Sequence, residues 1–494
     1  MTPQPRSLLR RILEGAAAYS VAMLVGRMAS FLLLPLYTRY LTPADYGVLE
    51  LVDLALFLLA MVIGIGLAGD ALFYFHAKLP DHAARKRAVQ TIILAAWGIS
   101  LTGFILLQLF APELSHWLLR NPAYAPTLRI AAVSFLLTPP IDAMLCYLRA
   151  IEKTTPFMLF SLFRLAGTIA LNVILLVVFN LGLYAILVST AAINALLCLG
   201  LAAYCLRSLH GWSGGPDWAL LRQVASYSAP IGVSGGAMLI IHYGDRLFLS
   251  RFCSLAEIGV YALAYKLGMA LSYLNLPFQM FWRSQVYSIV DDKDGDRIFA
   301  KVFLYFELVF VCSAFFLALF AELAVRVLAT RDFWGAAVFV PWLAFAYAAR
   351  ALEYQMQSAL LVQAKTRMIM VSTLTGVGVC LAGYALAIPA FGLWGAVLAT
   401  CLAFATMLVI TFILAQRQRR LDLPYAKLVT LPILAAALLL LRPLLGSGIA
   451  PLQIAISSLF CLALPAATLA LPVYRDERRL FASLANRLLA RLKA

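Results

Sequence analysis

Five cationic side chains stand inside long apolar stretches: Arg27, Arg164, Arg246, Lys266 and Arg350. Each costs at least roughly 2.5 to 3.5 kcal/mol at the centre of a bilayer, so water or anions must surround it. Acids in the same stretches can supply some pairing, namely Asp53, Asp142, Asp245, Glu307 and Glu353. His242 and Arg246 stand at i and i+4, and Arg350, Glu353, Tyr354 and Gln357 at i, i+3, i+4 and i+7, so each set shares one helix face. A stripe of that width cannot face lipid; it lines a cavity or another helix. Guanidinium forks match phosphate oxygens, so a cavity holding Arg27, Arg246, Lys266 and Arg350 suits a multiply charged anion. The competing reading is a set of mutual salt bridges, or side chains that snorkel to an interface.

Further groups are candidates for substrate contact or ion coupling: Asp53, Asp142, His242, Asp245, Glu353, Tyr354 and Gln357. His242 is the one histidine in a predicted span, either a proton carrier or a satisfied buried ring. Asp53 and Glu50, at i and i+3 with Glu50 nearer the outer surface, read either as a cation site or as a solvated mouth. No HExxH or Walker A pattern occurs, so the expectation is a non-enzyme with no metal and no cofactor beyond coupling to H+ or Na+. The acidic run Asp291 to Asp296 lacks the glutamate of a calcium loop and reads as a solvated turn.

What must position these groups is a membrane bundle. Of 494 residues, 63% are apolar and 13% charged, which is wrong for soluble domains and right for helices solvated by lipid. About fourteen spans are predicted, starting near Ala16, Gly47, Thr91, Leu128, Pro156, Gly182, Ser228, Ala256, Lys301, Ala336, Arg367, Gly392, Tyr425 and Ala450. Most of the 39 Lys and Arg then fall in the termini and the even-numbered loops, which places both termini in the cytoplasm. That distribution accounts for the net charge of +16 without nucleic acid. The 8 cysteines are scattered, with no C-x-x-C pair. Arg6, Arg10 and Arg11 precede an apolar run that continues past Arg27, so the start reads as an uncleaved helix.

The layout is duplicated. Arg39 to Leu51 (RYLTPADYGVLEL) recurs 212 positions later as Arg251 to Leu263 (RFCSLAEIGVYAL). An even number of spans per copy gives parallel repeats about an axis along the membrane normal, with a cavity expected on that axis. The reading is an all-α polytopic membrane protein with two parallel-repeat six-helix lobes, 1–206 and 228–416, joined by a cytoplasmic linker, 207–227. A hairpin, 417–473, and an amphipathic basic tail, 474–494, complete it. At the repeat offset the five buried cations face Leu239, Gly376, Leu34, Leu54 and Thr138. Charges absent from the shared scaffold are the better candidates for ligand contact.

The stretch Gly26 to Leu51 (GRMASFLLLPLYTRYLTPADYGVLEL) resembles the opening of bacterial Wzx-type polysaccharide flippases, including O-antigen flippases of lipopolysaccharide synthesis, in the multidrug/oligosaccharidyl-lipid/polysaccharide exporter superfamily. The Asp245-Arg246 pair, GLWGAV at Gly392 to Val397 and the terminal hairpin are similar to that family too. The resemblance implies two six-helix lobes around a central cavity in the bacterial inner membrane. It implies alternating access that moves a polyprenyl-diphosphate glycan to the outer leaflet, with cavity cations such as Arg27, Arg246, Lys266 and Arg350 at the diphosphate and sugar. Implied partners are membrane lipids, a polysaccharide polymerase and chain-length machinery, around a monomeric transport unit. The alternatives are a peptidoglycan lipid-precursor flippase, a cation-coupled multidrug exporter of the same fold and, less well supported, a membrane glycan polymerase, which would need a larger external loop.

Overall fold

The computed structural model describes residues 31, 33–63, 68–79, 81–212, 214–290, 294–363, 365–440 and short stretches between 457 and 474. Arg27 with most of the first predicted span, most of the final span and the basic tail lie outside the described residues.

The described chain is helical, with no strand among those residues. In order, the helices are α1 (Leu34–Tyr40), α2 (Pro43–Ile63), α3 (Ala68–Lys78), α4 (His82–Leu119), α5 (Ala125–Ala150), α6 (Thr154–Val173), α7 (Leu183–Ser208) and α8 (Trp218–Phe252). They continue as α9 (Leu255–Val290), α10 (Gly295–Leu319), α11 (Ala321–Leu328), α12 (Val340–Leu361), α13 (Thr366–Phe391), α14 (Leu393–Gln418) and α15 (Tyr425–Leu440). Every predicted span from the second to the thirteenth has a helix at its place. Seven described helices are long and apolar enough to cross a membrane, and one further pair, the 3-10 segment Arg331–Val338 followed by α12, is long and apolar enough only when taken together and is bent by 49°.

Large apolar side chains lie on the outside as well as in the core, unlike in a soluble protein. Leu109, Leu159, Leu199, Leu386 and Leu402 are exposed, while Arg246, Asp245, Glu353 and Asn172 are buried. Lipid as the solvent explains both halves of that pattern, since apolar side chains then cost nothing outside and polar ones must pair inside. The protein is a multi-pass membrane protein.

The chain forms two compact units, Met1–Ala262 and Leu263–Ala494. The first has its core where α3, α4, α5, α7 and α8 meet, around Leu72, Ile92, Ile141, Leu201 and Val224. The second contains the closely packed helices α12, α13 and α14, and a core of Val311, Phe315 and Leu319 on α10 against Leu431 and Ala435 on α15.

One expectation changes. Part of the polar stretch 207–227 is helical: Asp217 accepts a hydrogen bond from the Leu220 amide at 3.1 Å and α8 already begins at Trp218. α5 runs through Pro139 and Pro140, both of them buried.

The repeated segments explain themselves locally. Thr42 and Asp45 form a capping box at the start of α2: the Thr42 amide donates to Asp45 Oδ2 at 3.1 Å, and the Asp45 amide to Thr42 Oγ1 at 3.2 Å. Ser254 and Glu257 repeat it at the start of α9, at 2.8 and 3.3 Å. The two helix starts then cross. A Cβ on Gly47 would lie 1.9 Å from the Leu255 carbonyl oxygen, and one on Gly259 would lie 1.9 Å from that of Pro43. Pro43 and Leu255 are themselves repeat partners, as are Gly47 and Gly259, so the contact is two-fold symmetric. Small residues let the backbones touch, a common way to join helices in lipid.

Candidate functional site: two buried charge clusters

The first unit holds a cluster built by α2, α8 and the first turns of α9. Arg246 Nε donates to Glu50 Oε2 at 3.0 Å, and Nη1 donates both to Asp245 Oδ1 at 2.9 Å and to the His242 carbonyl at 2.8 Å. Tyr261 donates its hydroxyl to the other Asp245 oxygen at 2.5 Å. The guanidinium also sits 5.2 Å from the centre of the Tyr243 ring, which stacks on Phe57. Exposure is 2% for Arg246, 0% for Asp245 and 4% for Glu50. Two carboxylates and one guanidinium thus share one buried site.

The second unit holds a cluster on α12 and α14. Arg350 pairs with Glu353 through Nη1 and Oε2, and Gln357 Nε2 donates to Glu353 Oε1 at 2.6 Å. Thr411, from α14, donates to the same oxygen at 3.0 Å, and its hydroxyl lies 2.7 Å from that of Ser372 on α13. Tyr354 lies under the Arg350 guanidinium at 4.2 Å. The predicted polar stripe of α12 is therefore an interior hydrogen-bonded face, with Arg350, Glu353 and Gln357 all buried.

The other sequence candidates lie elsewhere. Lys266 is half-buried on α9. Asp53 is exposed although Glu50, one turn earlier, is buried, so the two do not form one solvated mouth. Asp142 is exposed and stands 3.6 Å from Arg164. His242 contributes its carbonyl to Arg246. Tyr261, Thr411 and Ser372 escaped the sequence reading because isolated hydroxyls carry no pattern. Among the described residues no group of histidine, cysteine and acidic side chains could hold a metal.

The chain matches the family described as polysaccharide biosynthesis protein over residues 12–281. It belongs to that family. Its fold is that of the lipid II flippase MurJ in an inward closed conformation, at 13% identity, with 91% of this chain and 98% of that one covered and a TM-score of 0.72. An inward-facing multidrug resistance MATE transporter of the MOP superfamily matches at 13% identity over 82% and 98% of the two chains, TM-score 0.65. The Vibrio cholerae MATE transporter VcmN matches at 14% identity over 84% and 98%, TM-score 0.58. No curated protein sequence matches the chain.

Proposed function

We propose that this membrane protein is a flippase. It carries a polyprenyl-diphosphate-linked oligosaccharide from the cytoplasmic to the outer leaflet of the bacterial inner membrane by alternating access, for synthesis of a cell-surface polysaccharide such as O-antigen. The family supplies the context of polysaccharide synthesis, and the fold is shared with a flippase and with exporters. The observation that carries the reading is that Arg246 and Arg350 each lie buried in an apolar bundle with a carboxylate as counter-ion. A diphosphate can take the place of Glu50 or Glu353 on those forks, because both anions offer paired oxygens to a guanidinium. The carboxylates keep the arginines neutralised when no substrate is bound. Only the difference in affinity between conformations is needed to drive exchange. Arg27 and Lys266 join the arginines in this proposal, and coupling to H+ or Na+ runs through the acids left when an arginine changes partner. Partners of the transport unit are the carrier glycan, lipids, and the polymerase and chain-length machinery that use the product.

The test replaces each ion pair by a neutral pair, since deleting an arginine alone strands a buried carboxylate. Glu50→Gln with Arg246→Gln, and Glu353→Gln with Arg350→Gln, should abolish surface glycan at normal protein abundance. Normal display in both variants would overturn the proposal. The likeness to a lipid II flippase favours a second reading, transport of a peptidoglycan precursor. Depletion would then cause lysis, whereas loss of surface glycan with intact walls supports the first reading.

A further inference from the structure

A cavity of about 880 Å³ opens in the first unit where the end of α3 meets the start of α8. The loop ahead of α8 is tied to α4 by Gln90 Nε2 donating to the Gly211 carbonyl at 3.3 Å and the Asp217 amide donating to Thr91 Oγ1 at 3.1 Å, which anchors the start of α8. Its floor is aromatic: Tyr74 and Tyr227 stack at 4.4 Å with their planes 19° apart. Its rim carries Lys78, Arg222, Gln223 and Ser226. Lys78 is held over this floor, with Nζ donating to the Tyr74 hydroxyl at 2.6 Å and lying 5.0 Å from the ring centre.

The contrast with the two buried clusters is one of charge. There each arginine already has a carboxylate; here two cations and no acid line the cavity. Lys78 and Arg222 are exposed, so an incoming anion does not have to displace a partner from a closed site. Lysine and arginine beside aromatic rings, with an amide and a hydroxyl in reach, combine the groups that bind a phosphate with those that bind a sugar ring. The volume lies within the range of pockets that enclose a drug-sized ligand, enough for a diphosphate and the sugar attached to it. Lys78, next to the basic run Arg85 to Arg87, stands at the end of α3 that the positive-inside pattern assigns to the cytoplasm.

We propose that this cavity is a docking site for the diphosphate-linked sugar of the carrier lipid in the cytoplasmic leaflet, separate from the buried arginines. Lys78 and Arg222 take the diphosphate, and Gln223, Ser226 and the Tyr74–Tyr227 floor take the adjoining sugar. The proposal rests on the flippase reading for its substrate class.

The test uses the full-length protein in phosphatidylcholine nanodiscs, with farnesyl-diphosphate-linked N-acetylglucosamine as probe. Lys78→Ala with Arg222→Ala should weaken probe binding by about tenfold or more, and Lys78→Arg with Arg222→Lys should restore most of it at an unchanged melting temperature. Gln223→Ala should lower affinity for the glycosylated probe but not for farnesyl diphosphate. Undiminished binding in the double alanine variant overturns the site. So does inorganic diphosphate binding as tightly as the probe, or phosphatidylglycerol in the disc abolishing probe binding, since the ligand would then be free phosphate or bulk anionic lipid. Glycan display on depletion is read separately. A protein that binds the probe through Lys78 and Arg222 but whose depletion leaves display intact refutes the flippase reading and keeps the site.

Discussion

Gly47→Ala probes the crossing of the two repeat segments most sharply. The added methyl would meet the Leu255 carbonyl oxygen at 1.9 Å and its carbon at 2.9 Å. Ordinary van der Waals separation starts near 3.4 Å, so α2 and α9 must move apart by about 1.5 Å at this point. The obstacle is backbone, which has no rotamer to escape into. Overpacking costs about 1 to 3 kcal/mol, and each Cα–H···O interaction broken at a close crossing adds about 0.5 to 1 kcal/mol. A destabilisation of about 1.5 to 4 kcal/mol is expected on those terms. Gly98→Ala is the control, because nothing lies within 4 Å of a Cβ there and alanine favours a helix by about 0.5 to 1 kcal/mol. Reversible unfolding in mixed micelles, followed by tryptophan fluorescence, reads both variants. Gly259→Ala should match Gly47→Ala, and the double variant should cost much less than the sum, since one separation of the helices admits both methyls. If Gly47→Ala is as harmless as Gly98→Ala, the close crossing is wrong.

Three further outcomes follow from the buried clusters. Arg246→Ala should destabilise by about 3 to 5 kcal/mol in the same assay, and adding Glu50→Gln should recover part of the loss, because a buried carboxylate is no longer stranded. Tyr261→Phe should cost about 1 to 3 kcal/mol by removing the hydrogen bond to the buried Asp245; the double variant with Asp245→Asn should show coupling of similar size. Thr411→Val removes one donor from Glu353 and should cost about 1 to 3 kcal/mol, while Thr375→Val, at an exposed position on α13, should stay within about 0.5 kcal/mol of wild type.

Much of the fold could be read in the chain because lipid imposes simple rules. Long apolar runs became helices, and the Thr-x-x-Asp and Ser-x-x-Glu boxes stand where α2 and α9 begin. The stripe Arg350, Glu353, Gln357 was legible because i, i+3 and i+7 share a face whatever the tertiary structure. Pairings across helices were not. Glu50 lies 196 residues from Arg246, and its place near the start of a predicted span suggested either a cation site or a solvated mouth, whereas the structure buries it against Arg246. Thr411 and Tyr261 had no signal at all, since a lone hydroxyl is indistinguishable from packing until its partner is known. The repeat itself was legible as a pattern but not as a meeting of its own two copies, which only the Gly47 and Gly259 geometry reveals.

The most direct measurement of the central claim is the sidedness of the carrier glycan after the protein is depleted. The flippase reading predicts that a glycosylated polyprenyl diphosphate accumulates on the cytoplasmic leaflet, inaccessible to a membrane-impermeant glycan label in intact spheroplasts and accessible once they are opened. Its sugar composition would name the substrate. Full labelling of the same lipid in intact depleted spheroplasts would contradict the account.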